Sequence, residues 1–301
     1  MTVQASTVTV LALVETMAAK LEAAGLTFAD GFGQGTTNAF DEAAWLILWK
    51  LGLPVDDLDS AENTLVTQDQ QAQVDMLLEA RITTRKPAAY LTNEAWLLGV
   101  PFYVDERVII PRSFIAELLF DASIDAWLSD TTSRVLDLCT GNGSLAVLAA
   151  MTYPDVMVDA ADISTDALAV ARINIDKHQL ADRITLIESD GLTACHGPYD
   201  LILCNPPYVN ATSMSALPAE FRAEPALALA GNMYGGSDGM DFIRGLFSNV
   251  VTQMNENAVL VLEIGHERVN FERAFPHLEP LWFDTSTGSD QVMLLTREQL
   301  V

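Results

Sequence analysis

Two stretches of this chain carry residue types and spacings suited to chemistry. The first is Asn205-Pro206-Pro207-Tyr208, delivered by the apolar run Tyr199–Cys204. The run reads as a buried strand, and the two prolines stop it at once. An amide, a rigid turn and an aromatic ring are thereby held at the carboxyl end of a strand. Ligands bind there in open α/β sheets. Read alone, the same residues are also an ordinary Asn-Pro turn. The second stretch is Val135-Leu-Asp137-Leu-Cys-Thr140-Gly141-Asn-Gly143-Ser-Leu-Ala146, a strand, a glycine turn and a helix start. Gly141 and Gly143 permit positive φ and let a ligand approach the backbone. The segment also fits the loose G-x-G-x-x-A form of a dinucleotide fingerprint, so alone it selects no cofactor. Asp162 ends the next expected strand, 21 positions after Gly141. That spacing suits hydrogen bonds to ribose hydroxyls. An N-cap role for Asp162 would be redundant with Ser164 and Thr165.

The elements that must position these residues alternate from Arg134 onward. Strands are expected at 134–139, 157–163, 184–189, 199–204, 258–264, 281–285 and 292–296, and helices at 144–152, 165–178, 238–255 and 267–275. The pattern is that of a doubly wound, mostly parallel sheet. The short gap between the last two strands predicts a hairpin, with one strand antiparallel to the rest. Residues 1 to about 80 read as helices. Val10, Leu13, Val14, Met17, Ala18 and Leu21 fall at helical spacing, with Gly25 as a stop and a loop over 30–35. Asp41 is expected to cap a second helix through Trp45 and Trp49, ended by Gly52 and Pro54, and a third runs over about 67–84. Tyr90–Trp96 and Phe102–Ile110 read as two strands of a hairpin about Gly99 and Pro101, with Ser113 capping a helix over 114–128.

Composition narrows the function classes. The 301 residues carry 41 acidic and 16 basic side chains, a formal charge of −25. That balance argues against a surface gripping nucleic-acid phosphates and allows a basic protein partner. The three cysteines and four histidines show no ligand spacing, so no metal is expected. Thiols without a disulfide framework, no basic region before the first apolar residues and no apolar run of membrane length lead us to expect a cytoplasmic chain.

Asp137 separates the cofactor readings. A carboxylate beside the glycines would disfavour a pyrophosphate, whereas a sulfonium cofactor carries an ammonium group and no phosphate. The ordered set Asp137-x-x-x-Gly141-x-Gly143, Asp162, Ser189-Asp190 and Asn205-Pro-Pro-Tyr208 resembles the S-adenosylmethionine-dependent methyltransferases acting on planar nitrogens. Ala89–Asn93, Phe102–Arg112, Asn205–Val209 and Leu217–Pro225 narrow the resemblance to the protein-glutamine methyltransferases. The nearest branch methylates large-subunit ribosomal protein L-three. The sister branch, acting on release factors, usually has Pro-Arg-Pro-Asp-Thr-Glu after the hairpin. Here the stretch is Pro111-Arg-Ser-Phe-Ile-Ala-Glu117, and Gly191 stands where that branch often has an aromatic residue.

The resemblance covers nearly the whole chain. It implies a Rossmann-like class I methyltransferase fold with a seven-stranded sheet, a small helical substrate-recognition domain over 1–85 and a β-hairpin linker over 86–112. The methyltransferase domain would span 113–301. It implies that Asp137, Thr140, Gly141, Gly143, Asp162, Asp190 and Asn205 bind S-adenosyl-L-methionine. Asn205 and the Pro206 carbonyl would accept the two N–H groups of a glutamine amide. Pro207, Tyr208 and Tyr103 would line its pocket, and Glu263 is a candidate for orienting the turn. Ribosomal protein L-three is the implied partner, with no membrane and no sequence-specific nucleic acid. A release factor, the adenine of DNA and a nicotinamide oxidoreductase remain the rival readings.

Overall fold

The computed structural model describes residues 8–28, 31, 32 and 34–301. Asp30 and Gly33 of the expected 30–35 loop, and the first seven residues, lie outside the described residues. The chain divides into two compact units, Met1–Ala95 with Pro218–Ala223, and Trp96–Leu217 with Glu224–Val301.

The first unit is built on helices α1 (Val10–Ala23), α2 (Ala39–Leu51) and α3 (Gln68–Thr84). The expected stripe of α1 is its buried face, packed with Ala43, Ile47 and Leu48 of α2 and Val74 and Leu78 of α3. Asn38, not Asp41, caps α2, since its Oδ1 accepts from the Asp41 N–H at 2.9 Å. Gly52 ends α2 in the left-handed region at φ 68°. Thr67 and Gln70 form a reciprocal capping box on α3. Arg81 is fully buried and donates to Glu42 at 2.7 Å, Glu220 at 3.2 Å and the Gly31 carbonyl at 2.6 Å. A charge so placed is tolerable only because carboxylates and a carbonyl replace its hydration.

The hairpin is shorter than the sequence suggests. Residues Ala88–Thr92 form a helical turn, because Pro87 starts it and Asn93 at φ 53° stops it. The strands are Ala95–Leu97 and Val100–Phe102, joined through Leu98 and Gly99, both at positive φ. Paired positive φ values match the twist of a two-residue turn. Pro101 lies inside the second strand, which ends at Phe102.

The second unit contains helix α4 (Ile115–Phe120), strand β1 (Arg134–Leu138), helix α5 (Ser144–Thr152), strand β2 (Met157–Asp162) and helix α6 (Thr165–Lys177). There follow β3 (Ile184–Glu188), β4 (Tyr199–Cys204), α7 (Asp241–Phe247), β5 (Met254–Glu263), α8 (Arg268–Ala274), β6 (Leu281–Thr285) and β7 (Gly288–Thr296). The seven strands lie in the order β6-β7-β5-β4-β1-β2-β3. Neighbours β5, β4, β1, β2 and β3 pair in parallel, and β7 is antiparallel to both β5 and β6. This is the Rossmann-like class I methyltransferase fold, with the expected terminal hairpin.

Alternate residues of the central strands feed two cores. Val135, Val158, Leu201 and Val259 pack with α4 and α5, while Leu136, Ile202, Leu260 and Met293 pack with α7 and α8. Burial on both faces explains why these strands read as continuous apolar runs. Two expected helices are shorter than their patterns. α4 stops at Phe120, with Ala122 in the left-handed region, and a 3-10 turn follows at Asp125–Trp127. The expected 238–255 helix covers only Asp241–Phe247, and β5 begins at Met254 after a 3-10 turn.

Candidate active site

The sheet reverses its winding at β1, which lies between β2 and β4. The carboxyl ends of these strands open into one cleft that is partly open to solvent. Thr140, Gly141, Asp162, Asp190, Asn205 and Pro207 all line it. The sequence places these six apart, over 68 residues, and the fold brings them together at the edge expected for a ligand.

The floor is a tightly bonded loop. Asp162 Oδ2 accepts from the Gly141 N–H at 2.9 Å, and Oδ1 from the Ser164 N–H at 2.9 Å. Ser164 itself caps α6 through the Ala167 N–H. Asp162 thus does not serve as the cap, and its carboxylate keeps acceptor capacity for hydroxyl groups. Burial raises its pKa, with the three neighbouring backbone N–H groups opposing the rise. At Gly141, φ is 54° and a Cβ would meet no atom within 4 Å, so the backbone is open. Gly191 on the facing turn has the same φ and the same open space. Cys139, at φ 63°, makes the turn from β1 without a glycine.

Five expected cofactor or amide residues do not line the cleft: Asp137, Gly143, Tyr103, Pro206 and Tyr208. Asp137 is fully buried beneath the loop and does not line the cleft. Its Oδ2 accepts from Thr140 Oγ1 at 2.5 Å and the Ala146 N–H at 2.9 Å, so it braces the loop from behind. Burial pushes its carboxyl up to about 7. Gly143 packs on α6, where a Cβ would lie 3.1 Å from the Ala171 Cβ, so close helix packing requires this glycine. Tyr103 points its hydroxyl to Asp105 at 3.0 Å and is not part of the cleft wall. Asp105 in turn holds Arg107, which is.

The Asn205 end is held by distant chain. Pro206 is buried, and Tyr208 places its hydroxyl 3.5 Å from Glu263 Oε1. A Cβ on Gly265 would come within 2.7 Å of the Tyr208 ring. Glu263 Oε2 accepts from Ser113 Oγ at 2.6 Å and the Phe114 N–H at 2.8 Å. Ser113, expected as the cap of α4, thus shares that work with a glutamate of β5. Burial pushes the Glu263 carboxyl up to about 7, and burial with Glu263 beside it holds the Tyr208 hydroxyl well above its usual range. Glu224 accepts two bonds from Arg112, at 2.6 and 2.8 Å, and one from the Ile110 N–H at 3.0 Å. This joins two stretches of cleft wall, 107–113 and 225–228.

The donor set fits a sulfonium nucleoside. The cleft presents the carboxylates of Asp162 and Asp190, and its two arginines, Arg107 and Arg112, are engaged by Asp105 and Glu224. Such a lining favours hydroxyl and ammonium groups over a pyrophosphate. Residues 119–233 match the methyltransferase small domain. A ribosomal protein uL3 glutamine methyltransferase of Bordetella pertussis is 52% identical over 271 residues, 89% of each chain.

The chain belongs to the ribosomal protein uL3 glutamine methyltransferase family.

A second relative with that name, from Neisseria gonorrhoeae, is 47% identical over 90% of this chain and 89% of its own. Among solved structures, the hMettl16 catalytic domain in complex with MAT2A 3'UTR hairpin 6 superposes with a TM-score of 0.50. At 12% identity over 78% of this chain and 84% of that one, it shares the fold alone. Family membership answers the nicotinamide reading that the glycines leave open. It does not by itself reach Glu224, Glu263 or Asn174, which sequence reasoning missed or left undecided. Asn174 had a visible signal, a polar residue on the apolar stripe Ala167, Val170, Ala171 and Ile175.

Proposed function

We propose that this chain transfers a methyl group from S-adenosyl-L-methionine to the side-chain amide nitrogen of a glutamine in ribosomal protein uL3. The observation that carries the reading is the opening of Asn205 and Pro207 into the same cleft as Gly141 and Asp162. Over most of its length the chain resembles proteins named for this reaction.

When bound, S-adenosylmethionine supplies an electrophilic methyl group and a neutral thioether leaving group. Asp162 would accept the ribose hydroxyls, with the bare backbone at Gly141 and Gly191 admitting the nucleoside, Asp190 and Thr140 at its edges, and Asp137 acting through the loop. An amide nitrogen is a weak nucleophile, because its lone pair is delocalised into the carbonyl. The Asn205 side-chain oxygen and the Pro206 carbonyl would each accept one of its N–H groups, aiming the lone pair at the methyl carbon. Pro206 suits this because its fixed φ aims the carbonyl. Tyr208 would pack its ring on the flat amide. The amide proton displaced by the incoming methyl group would leave to solvent. No strong base is required, and the rate gain comes from orientation and electrostatics.

The helical segment 1–85 and the linker 86–112 would meet the protein around the glutamine. The charge of −25 would steer a basic ribosomal protein toward it, in the cytoplasm. The test is mass spectrometry of uL3 and of a release factor after incubation with enzyme and cofactor. A single added methyl on a uL3 glutamine is the expected result. Faster methylation of the release factor at equal concentration would overturn the substrate assignment.

A further inference from the structure

We propose that Asn174 is a positioning residue that makes the cofactor loop and the Tyr103–Arg107 segment one mechanical unit. Its amide is completely buried on α6. Oδ1 accepts from the Tyr103 N–H at 2.7 Å, and Nδ2 donates to the Tyr103 carbonyl at 3.0 Å and to the Asn142 carbonyl at 2.9 Å. Both protons of the amide are therefore in use, one on each segment. To Tyr103 the side chain acts as a neighbouring strand would, giving and taking one bond. Toward the glycine loop it works beside the contact of Gly143 on Ala171, one turn earlier on the same helix. From Tyr103 the connection continues through its hydroxyl to Asp105 and through Asp105 to Arg107 in the cleft wall.

Neither an aspartate nor an alanine satisfies this site. An aspartate keeps the bond from the Tyr103 N–H but sets an acceptor against two carbonyl oxygens. An alanine takes the partner from three backbone groups, the Tyr103 N–H and carbonyl and the Asn142 carbonyl. The coupling follows from the geometry, because a ligand that tightens the loop at Asn142 tightens the segment at Tyr103 through one planar group.

The inference rests on the proposed reading of the cleft, and the experiment separates the two. In the wild-type chain, S-adenosylmethionine is added and amide hydrogen exchange is followed at residues 140–144 and at Tyr103. Slowed exchange at both places is expected. Protection of the loop with no change at Tyr103 would overturn the positioning role, whereas no protection at either place would overturn the cofactor reading itself. In Asn174→Ala, the loop should still respond to cofactor and Tyr103 should not. In Asn174→Asp, cofactor affinity and the KM for the protein substrate should both worsen, each by about tenfold or more. Wild-type values for both constants in Asn174→Asp would also overturn the proposal. Unchanged melting cooperativity in Asn174→Ala identifies the loss as one of coupling, not of fold.

Discussion

The two ends of the cleft are built differently. The glycine-loop end is made from neighbours in sequence, with Asp137, Thr140, Ala146 and Asp162 bonded across at most 21 positions. The Asn205 end hangs on contacts between Glu263 and Ser113, 150 positions apart, and between Glu224 and Arg112, 112 apart. The pairing of β1 and β2 sets most of the loop's shape, and α6 adds the Asn174 bond to the Asn142 carbonyl. A turn wired at long range holds its angle only when β5 and the 110–113 stretch are both in place. Damage at the first end should therefore appear in cofactor affinity, and damage at the second in turnover.

The largest effect is expected at Asn205. Asn205→Ala should bind S-adenosylmethionine nearly as well as wild type and lose turnover by ~10²-fold or more, as oriented hydrogen-bond groups do elsewhere. Calorimetry and single-turnover methyl transfer measure the two quantities, and near-normal turnover would sink the proposed mechanism. Next, Asp162→Ala should weaken cofactor binding by about ten- to a hundredfold, since hydrogen bonds to a charged acceptor contribute about 1.5–3 kcal/mol. Unchanged affinity in a folded variant would remove Asp162 from the site. Gly265→Ala should reduce turnover by roughly tenfold with cofactor affinity unchanged, because the new methyl group must displace the Tyr208 ring from a backbone already at φ 51°. A crystal structure with an unmoved ring and full activity would break the long-range side of the comparison.

The smallest effect is a pH dependence. Glu263 ordinarily titrates at 4.5 and is held at about 7 in the fold. Between those values the folded chain keeps a proton that the unfolded chain has lost. Stability should therefore fall as pH rises across that window and level off above it. Asp137, raised from 3.8 to about 7, adds to the same trend. Glu263→Gln should reduce the slope of melting temperature against pH without abolishing it, and a slope equal to wild type would contradict the assignment.

The same contrast explains what was legible in the sequence. Strands β1 to β4, the loop with Asp162, and the Asn205 turn follow from local pattern, because each is specified by an apolar run ended by glycine, aspartate or proline. Asp137 and Gly143 are legible as residues of the loop, and the structure sets both behind the cleft wall. Spacing does not say whether a side chain faces the cleft or the helix behind it. Glu263 drew notice only from its strand-end position. Asn174 and Glu224 act on backbone far away in sequence, and no local pattern encodes such a partner. The segment 103–110 looked like a strand because its residues are β-prone, yet side-chain bonds from Asn174, Asp105 and Glu224 replace the ladder.

Residues Pro218–Ala223 belong to the helical unit, although the chain has by then left it at Ala95. During synthesis the helices emerge first, with Arg81 already sought by Glu42. The Glu220 carboxylate that completes the cluster arrives only after Trp96–Leu217 has been made. At ordinary rates of translation that interval is on the order of 10 s. Until then the Arg81 guanidinium lacks one of its two carboxylate partners. No single cut in the gene yields it whole, because its last piece is encoded inside its neighbour.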